Sequence, residues 1–104
     1  MYDIIIVGNG LAGLSAAITC AEAKARVLLV SSNQPERSQS VMAEGGINAA
    51  LDIKGEDDSP AQHMADTLRA GCDLADEKAV AGLTAAAPEI IGWADRLGTV
   101  FSRD

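Results

Sequence analysis

The sequence is poor in aromatic side chains: Tyr2, Trp93 and Phe101 are the only three among 104 residues. Alanine supplies much of the 48% apolar content, and alanine and glycine let elements approach closely while burying little area each. The core is therefore expected to be thin for the chain's length, as in a piece of a larger domain. Basic residues are scarce as well, 8 Lys and Arg against 15 Asp and Glu for a net charge of −7, which argues against a nucleic-acid surface or an anionic membrane as partner. Cysteine is limited to Cys20 and Cys72, whose separation matches no metal or redox spacing. Set in Ala-rich helical patterns, each is expected as a small buried thiol. No apolar run is long enough to span a bilayer, and Met1 is followed directly by Tyr2 and Asp3 without a positive leader, so a cytoplasmic chain without an export signal is expected. The length suits one small domain and is too short for two.

What is present begins at Ile4. Ile4 to Val7 is a β-branched run without polar alternation, the pattern of a strand covered on both faces in a parallel sheet. Gly8-Asn9-Gly10-Leu11-Ala12-Gly13 follows at once, then Leu14 to Ala23 in helical spacing, then a second short apolar run from Arg26 to Val30. Strand, G-x-G-x-x-G, helix and strand within about thirty residues is the context in which this motif signals dinucleotide binding. The chemistry needs the spacing: Gly8 permits the tight turn, Gly10 lets backbone approach a pyrophosphate, and Gly13 lets the helix pack closely on the strand. The anion then meets free N–H groups at the positive end of a helix dipole. A fold of this type usually ends its second strand with Asp or Glu to hold the ribose, whereas here Val30 is followed by Ser31 and Ser32. Hydroxyls can still bond a ribose. On these residues alone the nucleotide is FAD or NAD, with the missing acid counting against NAD.

The stretch that follows, 31–51, is rich in Ser, Asn, Gln and Gly and poor in bulky apolar residues. Its Arg37-Ser38-Gln39-Ser40-Val41-Met42-Ala43-Glu44-Gly45-Gly46-Ile47-Asn48-Ala49-Ala50 resembles the R-S-H-T-x-x-A-x-G-G-x-x-A-A segment of the flavoprotein subunit of fumarate reductase and succinate dehydrogenase. Asp58-Ser59, His63-Met64-Ala65-Asp66-Thr67 with Gly71, Ala87-Pro88-Glu89 and Phe101-Ser102-Arg103 fall in the same family order. L-aspartate oxidase, a relative, shares much of this pattern. The resemblance implies FAD as cofactor, held by Gly8, Asn9, Gly10, Leu11, Ala12 and Gly13 at its pyrophosphate. It puts Ser31, Ser32 and Asn33 near the adenosine ribose, and Ser38, Gln39, Ser40, Ala43, Glu44, Gly45, Gly46 and Ile47 along the flavin. In the membrane-complex members the histidine of R-S-H-T carries FAD covalently. Here Gln39 takes that position, and an amide nitrogen whose lone pair is delocalised cannot serve as the nucleophile, so the flavin is expected to be noncovalent.

The second half reads as helical support. Ser59-Pro60-Ala61-Gln62 has the form of a capping box, with Ser59 as N-cap, Pro60 at the first helical position and Gln62 reaching back. Ala61, Met64, Ala65 and Leu68 keep helical spacing until Gly71. Asp76 is expected to cap a second helix, and Pro88 to break it and start a third that carries Trp93 as an amphipathic anchor and ends at Gly98. Met42 and Met64 are expected as packing residues. His63, the only histidine, stands near Asp57, Asp58 and Asp66. Such residues around a helix start are more often solvated than metal-ligating, and no metal site is assigned.

The chain is thus expected to be α/β: the N-terminal part of a Rossmann-like FAD-binding domain, with residues 1–51 forming the βαβ start and flavin-contacting loop and 52–104 a helical segment. The resemblance implies hydride transfer between flavin N5 and a C4 dicarboxylate in the full-length protein. An iron-sulfur subunit is implied as partner and a peripheral place on the inner face of the cell membrane as location. No catalytic residue is expected within these residues. Two other readings stand beside this one: an L-aspartate oxidase type of flavoenzyme, and a truncated non-catalytic flavin-binding remnant.

Overall fold

In the computed structural model, which describes residues 1–102, the chain falls into two compact units, the first spanning residues 1–45 and the second beginning at Gly46. The first unit is a βαβ element. Strand β1 (Ile4–Val7) and strand β2 (Val27–Val30) pair in parallel, Ile4 opposite Val27 and Val7 opposite Val30, with helix α1 (Leu11–Glu22) between them in sequence. The ladder is continued by Gly8 N–H to Val30 C=O at 2.8 Å and, at the other end, by Asp3 N–H to Arg26 C=O at 2.8 Å. Asp3 also accepts from the Arg26 backbone N–H at 2.8 Å and pairs with its guanidinium at 2.9 Å. This side-chain bond, with the backbone bond second, holds the Asp3 carboxyl below its ordinary value and raises Arg26.

Helix α1 packs over one face of the strand pair, where Ile6 meets Gly13. The sequence pattern describes a strand covered on both faces, but the described residues supply one cover: Ile5 is 64% and Val7 83% exposed. The helix begins three residues earlier than the apolar spacing predicts, because the glycine turn itself supplies its first turn. It ends in a Schellman arrangement, Ala25 N–H to Cys20 C=O at 3.0 Å and Lys24 N–H to Ala21 C=O at 2.9 Å, with Lys24 at φ +66°. Residues 35–37 form a single 3-10 turn, and helix α2 (Gln39–Met42) is one turn long. The loop is therefore more ordered than its composition suggests: Ser38, buried, accepts the Val41 N–H with its hydroxyl. Met42 is exposed rather than a packing residue.

The second unit is a helix pair, α3 (Pro60–Ala70) against α4 (Glu77–Arg96). Ser59 caps α3 through the Gln62 N–H at 3.1 Å, and Pro60 occupies the first turn as expected. The capping box is only half formed: the Gln62 side-chain amide donates forward to Asp66 at 3.0 Å, and its oxygen does not accept the Ser59 N–H. Asp66, which also pairs with Arg69, sits one helical turn along and offers a charged acceptor. Cys72 lies beyond the helix end at φ +49° and is exposed, so the expected burial holds for neither cysteine fully, Cys20 being half-buried.

Pro88 corrects a further expectation, since α4 runs through it unbroken. Proline there removes the hydrogen bond to the Thr84 carbonyl and crowds it, at a cost of ~3 kcal/mol. The cost is met by length and burial on both sides. Thr84, 1% exposed, and Ile91, 8% exposed, lie one turn before and after Pro88 on the same side of the helix, and the Thr84 hydroxyl donates to Val80 C=O at 3.0 Å. Asp76 caps the start through Ala79 N–H at 2.9 Å, and Gly98 closes the end at φ +99°. Trp93, half-buried, belongs to this one long helix. Buried apolar residues are few, Ala50 and Ile91 among those described, in keeping with an alanine-rich composition.

Candidate nucleotide site

The glycine turn connects β1 to α1, and its geometry explains each glycine separately. Gly8 sits at φ +113°, a conformation side chains rarely adopt, and it turns the chain directly off the strand. Gly13 is required by space: a Cβ there would lie 1.9 Å from the Gly8 carbonyl oxygen. The helix is thereby seated on the turn. Gly10, the N-cap, is extended and contributes no side-chain cap; a Cβ on it would meet only the Ser40 hydroxyl at 3.2 Å. No acidic side chain occupies the first turn of α1.

Three hydrogen bonds gather the second loop around this turn. Gly8 N–H reaches Val30 C=O, the Asn9 side-chain amide donates to Asn33 C=O at 2.7 Å, and Leu11 N–H donates to Ser40 Oγ at 2.9 Å. Asn33 N–H in turn donates to Ser31 Oγ at 3.3 Å. The predicted residues Gly8, Asn9, Gly10, Leu11, Ala12 and Gly13 are thus brought together with Ser31, Ser32, Asn33 and Ser40. Leu11 N–H at the helix start is taken by Ser40 Oγ, while the other N–H groups of the first turn have no acceptor within the helix, as at any helix start. This arrangement suits a pyrophosphate group.

The other predicted residues are less tightly drawn in. Ser38 spends its hydroxyl on capping α2, while Gln39, Ala43, Glu44 and Gly45 are exposed. Gly46 and Ile47 fall in the second unit, where Ile47 joins Ala50, His63, Asp66 and Thr67 along a cleft of about 510 Å³. His63 Nδ1 is buried there without a hydrogen-bond partner among the described residues. Arg103 of the Phe101-Ser102-Arg103 segment lies outside the described residues. The sequence carries no sign that the Asn9 amide is spent on Asn33; only the contact across 24 residues shows this.

A parallel βαβ unit whose glycine turn seats α1 on the end of β1 is the fold of a nucleotide-binding domain of the Rossmann-like class. More particularly, residues 3–104 match the model of the FAD binding domain family, and the chain belongs to that family. It is 49% identical over 101 residues to the succinate dehydrogenase flavoprotein subunit of Bacillus subtilis, covering 97% of this chain and 17% of that protein. To the L-aspartate oxidase of Agrobacterium fabrum it is 46% identical, covering 96% of this chain and 18% of that one. A solved structure of E. coli quinol fumarate reductase superposes with a TM-score of 0.89 at 35% identity, covering 99% of this chain and 17% of that chain. The chain spans about a sixth of the length of the relatives it matches. The fold is that of the N-terminal part of their FAD-binding domain.

Proposed function

We propose that the chain is the nucleotide-holding start of a flavoprotein of the succinate dehydrogenase and fumarate reductase type, interconverting succinate and fumarate in its full-length form. The observation that carries this is the glycine turn closed onto α1, in a chain 49% identical to a succinate dehydrogenase flavoprotein subunit. The N-terminus of α1 would hold the pyrophosphate, with Ser31, Ser32 and Asn33 toward the adenosine ribose. Residues Ser38 to Ile47, including Ala43, Glu44, Gly45 and Gly46, would lie along the flavin. When bound, FAD supplies at N5 a centre that takes up or releases hydride. The residues of this chain bind and orient it; those that would bind a C4 dicarboxylate and move protons belong to the rest of the protein.

Gln39 supports noncovalent attachment, because its amide can hydrogen-bond but cannot form the bond an imidazole nitrogen makes. An iron-sulfur subunit is the electron partner this reading calls for, and a place on the cytoplasmic side of the membrane follows from such a partner. No helix among the described residues is long and apolar enough to cross a membrane. The L-aspartate oxidase reading has its own support, the 46% identity to one such enzyme together with Gln39. Steady-state assays of the full-length protein separate the two. Fumarate reduction by a reduced dye with no oxidation of L-aspartate supports the first reading; flavin-dependent oxidation of L-aspartate overturns it.

A further inference from the structure

Asn9 stands between the first two glycines of the phosphate turn. It is 6% exposed, and its Nδ2 donates to the Asn33 main-chain carbonyl at 2.7 Å. An amide buried to this degree needs its partner, since an unpaired buried donor is strongly disfavoured. The turn at residues 31–33 is therefore held twice, by Asn9 from across the site and by the internal bond from Asn33 N–H to Ser31 Oγ. Ser31 already accepts one bond, whereas the Ser32 hydroxyl has no hydrogen-bond partner among the described residues.

This turn occupies the end of β2, where folds of this class use a carboxylate to grip the ribose diol. A carboxylate makes charge-assisted bonds about twice as strong as those of a neutral hydroxyl. A serine in that place contributes only if its backbone is fixed where the ribose will lie. We propose that Asn9 is a positioning residue for the adenosine end of the cofactor. It locks the 31–33 turn so that the Ser32 hydroxyl meets the ribose in place of the absent acid. The proposal rests on the FAD reading above.

The test is a double-mutant cycle in the full-length protein, stripped of flavin and retitrated with FAD. Ser32→Ala removes the ribose bond itself and is expected to weaken FAD binding about tenfold, the loss that ~1.4 kcal/mol produces. Asn9→Ala is expected to weaken it severalfold and by no more than Ser32→Ala. Because Asn9 acts through Ser32, the double variant should bind no more than twofold more weakly than Ser32→Ala alone. A general loss of stability would not create that coupling. Losses that multiply in the double variant, or an Asn9→Ala protein with unchanged affinity, overturn the proposal. If Asn9→Ala does not fold, Asn9→Ser, one heavy atom shorter on its way to the carbonyl, takes its place in the cycle with the same expected outcome. A wild-type protein that binds no FAD refutes the underlying reading instead, and is seen before any variant is compared.

Discussion

Gly13 and Gly10 belong to one motif, yet the structure separates what each does, and a pair of substitutions makes the separation measurable. In Gly13→Ala the new Cβ would lie 1.9 Å from the Gly8 carbonyl oxygen and 2.9 Å from its carbon. Ordinary contact needs at least about 3.4 Å, so α1 must withdraw from the turn by about 1.5 Å. Both partners are backbone, and no rotamer change relieves them. Overpacking of this kind costs ~1–3 kcal/mol where side chains can yield and more where they cannot, so a loss of about 3 kcal/mol or more is expected. That is a large share of the ~5–15 kcal/mol that holds a domain together. In Gly10→Ala the Cβ meets only the Ser40 hydroxyl at 3.2 Å, and a small shift of Ser40 makes room. Stability should then change by less than about 1 kcal/mol, while under the proposed function the methyl group would meet the pyrophosphate and weaken FAD binding. The assay is urea unfolding of the full-length apoprotein beside FAD titration of each variant. A Gly13→Ala apoprotein as stable as wild type would refute the close approach, and a Gly10→Ala protein with unchanged FAD affinity would refute the proposed place of the pyrophosphate.

Lys24→Gly should stabilise the protein by about 1 kcal/mol, because Lys24 holds a left-handed conformation that glycine adopts freely, as Gly98 does at the end of α4; chemical denaturation of the two proteins checks it. Asp3 has a lowered pKa in the fold, so its contribution is present above the ordinary carboxylate range and is lost as pH falls through the folded value. Both side chains are exposed, and the effect is small; Asp3→Asn should flatten the acid limb of the stability profile slightly while leaving the slope near pH 7 unchanged. The isolated 104-residue chain, with Ile5 and Val7 bare and few buried apolar residues, should show no cooperative thermal transition; a sharp melting curve with a clear enthalpy would contradict this.

Features encoded within one turn of the chain were legible from the sequence. The β1–α1–β2 order, the role of Gly13 as a close-approach residue, the Ser59 and Asp76 caps and the ends of α3 and α4 all follow from local chemistry and spacing. Features decided by partners distant in sequence were not. Pro88 reads as a breaker because its cost is local, but the burial of Thr84 and Ile91 on either side depends on residues distant in sequence, such as Ile47, Ala49 and Leu51 beside Ile91, which no window around Pro88 contains. The Gln62 side chain could accept the Ser59 N–H or donate to Asp66, and its turn toward Asp66 is a competition of strengths rather than a pattern. Lys24 ends a helix without the usual glycine, so composition alone extended α1 to Ala23. At the site, the residue types pointed to the anion turn, but the bond from Asn9 to Asn33 appears only when β2 lies beside β1.

In the proposed function FAD is held by the glycine turn and by no covalent bond. The measurement that tests it is the flavin content of the full-length protein before and after acid precipitation, for wild type and for Gly10→Val. The expected result is about one flavin per wild-type chain, released entirely to the supernatant as FAD, and a colourless Gly10→Val protein that still folds. Flavin that stays with the precipitated chain, or a Gly10→Val protein as yellow as wild type, would contradict it.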